Sequence, residues 1–348
     1  MTIQNPIPQG RALNIAIVGA TGAVGAELIG CLERGAIEVS ELRLLASARS
    51  AGRKMAFHGQ DVEIQELRED SFVGIDIAFF SAGASLSRHY APLAIAAGAR
   101  VIDNSSAFRT DPLIPLIVPE ANAAAMMNAP LVANPNCVAA IATVALAPLH
   151  RAWSIRRLNY ATYQSASGAG AAAMEELRTG TQAALDGEEF TPSVLPHPYA
   201  FNLFSHNADI DPETGYNGEE LKVIAETRRI LDLPQLPIGV TCVRVPVLRA
   251  HSMALSVRFE DHVTPGQVRD CLARAPGVRI VDDAAANHFP MPCEATGQDD
   301  VLVGRIRQDL GDPSGRTIAL FVAGDQLLKG AALNAVQIAE RLVVGAAT

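Results

Sequence analysis

A chain of 348 residues has room for two domains of ordinary size, and 49% hydrophobic against 19% charged residues describes a folded globular protein. A formal net charge of −9 leaves no basic footprint for nucleic acid, and no run approaches the roughly 20 apolar residues of a membrane span. The opening MTIQNPIPQG lacks a basic-then-apolar signal, so a cytoplasmic protein acting on small molecules is expected.

Residues 12–18 (ALNIAIV) form a near-continuous apolar strand that runs into Gly19, Ala20, Thr21, Gly22, Ala23, Val24 and Gly25, followed by a helix over 26–34. Strand, glycine turn and helix in that order suit a dinucleotide. Glycines allow backbone to approach a pyrophosphate closely, and the helix N-terminus stabilises its charge. A merely tight turn is the alternative, since the G-x-x-G-x-x-G spacing differs from the commoner fingerprint. The second strand, 42–46, leads into Ser47-Ala-Arg49-Ser50-Ala-Gly-Arg53-Lys54 without the acid that usually bonds a bare ribose hydroxyl. That basic loop is either a solvated segment or a reader of a 2′-phosphate, and its position favours NADP with Arg49 and Ser50 as readers.

Alternation continues with strands at 76–81, 100–103 and 116–118 and a helix at 85–97, which predicts a parallel sheet covered on both faces. Two polar turns, 81–85 and 103–109, follow strands at the edge where ligands of such sheets collect. Arg109, in the second, is open to two readings, surface arginine or ligand.

A short strand at 131–133 precedes Asn134-Pro135-Asn136-Cys137, and residues 138–149 (VAAIATVALAPL) read as a helix that Cys137 opens. A thiol at that point meets the positive end of the helix dipole, which favours thiolate. The competing reading is a small buried apolar residue. The five cysteines (Cys31, Cys137, Cys242, Cys271, Cys293) make no C-x-x-C pair and suggest neither a disulfide framework nor a metal site.

Beyond this point a strand at 154–163 ends at Gln164-Ser-Ala-Ser167-Gly168-Ala-Gly170, before a helix over 171–185. Gln164 there is placed either to hold a carbonyl or to cap a turn. Long connections over 192–239 surround one helix, 218–231, on which Glu219 and Lys222 share a face, as a surface ion pair would. Arg244 lies in an otherwise apolar strand, 241–246, where its guanidinium fork suits a carboxylate. His251 follows seven residues on, a possible proton carrier or a structural histidine. The closing run, 329–344, is an amphipathic helix with no further strand predicted before it.

Taken in order, GATGAVG (19–25), VPEAN (118–122), NPNC (134–137), QSASGAG (164–170), EELK (219–222), RVPV (244–247) with His251-Ser252, and KGAALNAVQIAE (329–340) resemble the aspartate-β-semialdehyde dehydrogenase family across nearly the whole chain. The resemblance implies an α/β fold: a Rossmann-type NADP-binding domain (1–135 with 325–348) and an inserted α+β catalytic and dimerisation domain (136–324). It implies Cys137 as acyl-thioester nucleophile, His251 as acid/base taking the thiol proton, Gln164 holding substrate and Asn136 beside the thiol. It implies Arg244 on the substrate carboxylate, Glu219 on its ammonium, and Arg109 and Lys222 on phosphate. NADP contacts fall on Gly19, Thr21, Gly22, Ala23, Val24, Gly25, Arg49, Ser50, Ser167, Gly168 and Gln326. The chain departs from the family's D-N-L-R-K-G at Gln326 and Leu328, and from V-P-E-V-N at Ala121. The implied activity is reversible NADPH-dependent conversion of L-4-aspartyl phosphate to L-aspartate 4-semialdehyde and phosphate by a homodimer, in lysine, threonine, methionine and isoleucine biosynthesis. Two rival readings are N-acetyl-γ-glutamyl-phosphate reductase, which usually has glycine at the place of Asn136, and a non-catalytic NADP-binding homologue.

Overall fold

The structure, a computed structural model, describes residues 11–126 and 129–344. The chain divides into two compact units, residues 1–135 with 331–348, and residues 136–330. The sequence division places the return at 325. The structure puts 325–330 with the second unit because Asp325 is bonded to Arg249 and Gly297, and Gln326 to Ala250 and Ser167.

In the first unit, β1 (Leu13–Val18) leads through the glycine turn into α1 (Ala23–Arg34). Then come β2 (Val39–Ala46), β3 (Lys54–Phe57), β4 (Gln60–Glu66), β5 (Ile77–Phe80), α2 (Ala84–Ala96), β6 (Arg100–Asp103), α3 (Pro119–Asn122) and β7 (Leu131–Ala133). The sheet order is β3-β4-β2-β1-β5-β6-β7. All pairings are parallel except the β3–β4 hairpin, whose polar sequence gave no strand signal. Central strands are apolar on both faces, and every residue of β5 and β6 is buried, as helices covering both sides of a parallel sheet require. The strand order reverses at β1, so the glycine turn lies at the sheet's switch point. The strand predicted at 116–118 reduces to a single bridge between Leu116 and Ala133. The last helix, Leu333–Val344, packs on α1, α3 and β6.

The second unit opens with α4 (Cys137–Trp153), whose residues 138–147 are all buried. It continues with β8 (Ile155–Gln164), α5 (Ala171–Asp186), β9 (Phe204–Ser205), α6 (Gly218–Ile230), β10 (Ile238–Arg244), β11 (His251–Phe259) and α7 (Pro265–Leu272). β12 (Val278–Ile280), α8 (Pro292–Ala295), β13 (Val301–Gln308) and β14 (Thr317–Gly324) complete it. Its mixed sheet runs β12-β13-β14-β11-β8-β10-β9. β8 pairs parallel with β10 and antiparallel with β11, so Gln164 lies opposite Arg244 while Ser252 lies opposite Tyr163. No helix among the described residues is long and apolar enough to cross a membrane.

Candidate active site

Cys137 is the first residue of α4, and Asn136 is its N-cap. The Asn136 side-chain oxygen accepts from Val138 N at 2.9 Å and Ala139 N at 3.3 Å, satisfying first-turn donors that would otherwise lack partners. The amide of Asn136 donates to Glu219 Oε1 at 2.8 Å, and its backbone N–H donates to Glu226. The thiol therefore sits on a rigid helix start whose dipole stabilises negative charge.

Backbone also crowds the cysteine. A Cβ built on Gly330 would fall 2.8 Å from Cys137 Cβ and 3.2 Å from its Cα. Only glycine lets the backbone at 330 lie this close to Cys137.

Glu219, Gln164, Arg244 and His206 form one polar cluster. Gln164 donates to Glu219 Oε1 at 3.2 Å while its own oxygen accepts from Thr162 at 3.0 Å, which fixes the amide's orientation. Arg244 is 4% exposed and donates to the Ser165 carbonyl at 3.1 Å, to Asn207 Oδ1 at 3.4 Å and towards His206 Nε2 at 2.9 Å. Lys222 lies 4.0 Å from Glu219 on the same face of α6. Burial pushes Glu219 up, but His206, the Asn136 amide, Lys222 and Gln164 together hold its carboxyl below the usual range. Burial, then the Arg244 charge, lowers His206 to about 4. At neutral pH the cluster thus presents a carboxylate, a neutral imidazole and two cations. That pattern suits a small zwitterion, the arginine for its carboxylate and the glutamate for its ammonium.

His251, fully buried, begins β11. Its Nδ1 receives the Ser165 backbone N–H at 3.0 Å and lies 3.0 Å from Ser165 Oγ. Burial and the neighbouring Arg244 and His206 push it well below the ordinary histidine range. Gly168 lies against it, since a Cβ there would fall 2.9 Å from His251 Cε1 and 3.1 Å from Arg244. Ser167 and Gln326 are bonded to each other, both in the second unit.

In the first unit, Gly19 adopts φ 86, and a Cβ on it would fall 2.5 Å from the Ser81 carbonyl oxygen. A Cβ on Gly25 would lie 2.3 Å from the Gly19 carbonyl oxygen, so this glycine permits α1 to pack onto the turn. Gly22 caps α1 without a side-chain bond, Ala23 and Val24 begin the helix, and with the turn at Thr21 they offer bare backbone that could hold a pyrophosphate. Arg49 is exposed and Ser50 half-buried on the short turn after β2, where no carboxylate stands. Arg109 is bonded to the Asn134 and Asn104 carbonyls at 2.8 and 2.7 Å, which anchors it beside β6 and β7.

Sequence reasoning passed over Ser165, His206, Glu226 and Gly330. Glu226 had a signal, being seven residues from Glu219 and hence on the same, buried face of α6. β11 also had one, since HSMALSVRF alternates in burial from Met253 to Phe259. His206 lies in an irregular segment and had none.

The semialdehyde dehydrogenase NAD binding domain matches residues 14–129, and the semialdehyde dehydrogenase dimerisation domain matches residues 146–329. An aspartate-semialdehyde dehydrogenase of Synechocystis sp. is 49% identical over 332 residues, covering 95% of this chain and 97% of its own. The solved aspartate semialdehyde dehydrogenase II from Vibrio cholerae complexed with ASA superposes with a TM-score of 0.92 at 41% identity, covering 97% of this chain and 100% of that one. An aspartate semialdehyde dehydrogenase with NADP from Candida albicans shares the fold at a TM-score of 0.74 and 22% identity, over 95% of this chain and 98% of that one.

Proposed function

The chain belongs to the aspartate-semialdehyde dehydrogenase family, and we propose that it interconverts L-4-aspartyl phosphate and L-aspartate 4-semialdehyde through a thioester on Cys137. The observation that carries this reading is the cluster built around the cysteine helix. The N-cap of Cys137, Asn136, is bonded to the glutamate that shares a hydrogen-bonded cluster with Gln164 and faces Arg244's neighbour His206. Nucleophile support and substrate recognition are thereby joined.

In the reductive direction the Cys137 thiolate attacks the acyl phosphate carbonyl, and the C–O bond to phosphate breaks. The thioester is the acceptor for hydride, which NADPH supplies when bound, and the thiolate then leaves as the aldehyde forms. Arg244 holds the substrate carboxylate in a bidentate grip and Glu219 its ammonium, while Gln164 keeps the carbonyl near the thiol. Arg109 and Lys222 are assigned to the phosphate. Gly19, Gly22 and Gly25 with Thr21, Ala23 and Val24 are assigned to the cofactor pyrophosphate, Arg49 and Ser50 to its 2′-phosphate, and Ser167, Gly168 and Gln326 to its remaining contacts. The chain acts as a homodimer through its second unit and serves biosynthesis of aspartate-derived amino acids.

Asn136 also separates this reading from the acetylglutamyl-phosphate reductase alternative. Glycine in its place would forfeit both cap bonds and the bond to Glu219, and an acylated substrate offers no ammonium for Glu219 to meet.

The test follows NADPH formation with aspartate semialdehyde, phosphate and NADP, for the parent chain and for Cys137→Ala. An active parent and an inactive variant are expected; an inactive parent, or a variant that keeps its rate, would overturn the assignment.

A further inference from the structure

Asn104 and Asn134 occupy equivalent places on neighbouring strands. Asp103, the last residue of β6, pairs with Ala133, the last of β7, so each asparagine is the first residue past its strand, at the carboxyl edge of the sheet. They are stapled to each other. Asn134 Nδ2 donates to Asn104 Oδ1 at 2.8 Å, and the Asn134 backbone N–H continues the ladder to the Asp103 carbonyl at 2.8 Å. Both asparagine carbonyls accept from one side chain. Arg109 donates from Nε to the Asn134 carbonyl at 2.8 Å and from Nη2 to the Asn104 carbonyl at 2.7 Å.

The amides run in a single sense, because a backbone carbonyl can only accept and so marks the nitrogen of each. Asn134 Nδ2 also donates to the Ala331 carbonyl at 3.1 Å, Asn104 Nδ2 to the Phe80 carbonyl at 3.1 Å, and Asn334 Nδ2 to the Ile117 carbonyl at 2.9 Å. Asn334, on the last helix, donates in turn to Asn134 Oδ1. The order is therefore Asn334 to Asn134, Asn134 to Asn104, and Asn104 to the end of β5. Every polar atom of Asn134 is engaged, and the residue is 1% exposed.

We infer that Asn134, supported by Asn104 and Asn334, is a positioning residue for phosphate binding: it fixes the carbonyls that hold the Arg109 guanidinium, and so the direction in which that guanidinium meets the anion. The inference rests on the assignment of Arg109 to phosphate proposed above.

A second observation points the same way. Asn334 Oδ1 is buried and, among the described residues, has no hydrogen-bond partner. A buried oxygen left unpaired costs stability, so this amide serves through its N–H groups, which bond Ile117 and Asn134. Aspartate at 134 could accept from Asn334 but could donate to neither Asn104 nor Ala331, so the network requires an amide there. The benefit is one of order. An arginine side chain has many rotamers, and those left open must be frozen when an anion binds. Holding Nε and Nη2 beforehand sets the plane of the guanidinium and leaves less ordering to be done. The consequence falls on phosphate, since the aldehyde and the cofactor are assigned to other groups.

Steady-state rates of NADPH formation with aspartate semialdehyde, phosphate and NADP provide the first test. Asn134→Ala is expected to raise KM for phosphate about tenfold, with KM for the aldehyde and for NADP within about twofold of the parent. Added to Arg109→Lys, which keeps the charge but not the fork that the carbonyls hold, it should change KM for phosphate by less than about twofold. A phosphate KM equal to the parent's, equal rises in every KM, or a further rise of the same size in the double variant overturns the inference. Asn104→Ala, at a half-buried position, is expected to give the same selective rise, and it carries the test if Asn134→Ala does not fold.

Hydrogen exchange at the Arg109 Nε–H reads the fixation without any reaction. It is followed in the intact chain labelled with 15N-arginine, the signal being assigned by its loss in Arg109→Lys. Exchange about fivefold faster or more is expected in Asn134→Ala; an unchanged rate overturns the positioning role. An inactive parent chain, or a phosphate KM that Arg109→Lys leaves unchanged, would sink the phosphate assignment, while the exchange rate would still decide whether Asn134 fixes Arg109.

Discussion

Asn136 Nδ2 donates a 2.8 Å hydrogen bond to Glu219 Oε1, tying the N-cap of the cysteine helix to the first turn of α6. One side chain therefore serves three groups, since its oxygen also caps Val138 and Ala139. Helix capping and the anchoring of Glu219 thus rest on one residue.

Asn136→Ala should lower stability by about 1–3 kcal/mol, the cap alone contributing about 1 kcal/mol and the weakened support of buried Glu219 the rest. Urea unfolding would register this as a lower midpoint at constant m-value. A midpoint equal to the parent's would show that neither bond matters to folding.

At Gly330 the smallest possible change is expected to disturb Cys137. The Cβ of Gly330→Ala would sit 2.8 Å from Cys137 Cβ, closer than carbon atoms tolerate, so the helix start or the turn must shift. The alkylation rate of Cys137 and kcat should each change by about tenfold or more, since a small misplacement of the reacting atom is costly. Native values for both would mean that the turn yields freely.

His206 should make stability depend on pH. Its imidazole titrates near 6.5 when unfolded and near about 4 when folded, because of burial and the Arg244 charge. Between those values the unfolded chain binds more protons, so stability falls as pH drops from 6.5 towards 4. Lys222 adds to this effect and Glu219 opposes it. His206→Gln removes the titration while retaining an acceptor for Arg244, and its Tm should fall less between pH 7 and pH about 5. An equal fall in both proteins would assign the acid sensitivity to other groups.

For the cofactor, Arg49→Ala should raise KM for NADP several-fold more than KM for NAD, because only NADP carries the 2′-phosphate that a guanidinium pairs with. Steady-state kinetics with each cofactor decides it. Parallel changes would move the 2′-phosphate reader elsewhere.

Much of the first unit was legible in the chain because its strands are continuous apolar runs ending at glycine or polar turns. β1, β5 and β6 fall within a residue of their expected positions, as does the start of α2. The hairpin of β3 and β4 was not, since its residues are polar and mostly exposed. In the second unit, β11, β13 and β14 were passed over; β11 alternates in burial from Met253 to Phe259, while β13 and β14 are mostly buried and give a weaker periodic signal.

The sequence by itself determined the family, because the ordered motifs from GATGAVG to KGAALNAVQIAE span nearly the whole chain, whereas a thiol at a helix start and a glycine turn after an apolar strand are local patterns that each left a plainer reading open. Tertiary structure alone decided which partners each group has. Glu219 and Asn136 are 83 residues apart in the chain, Gln326 and Ser167 159 apart, and His251 and Ser165 86 apart. The lowered pKa of His251 and the charge state of His206 follow from burial and from charges that long-range folding brings beside them. No local pattern of residues encodes them.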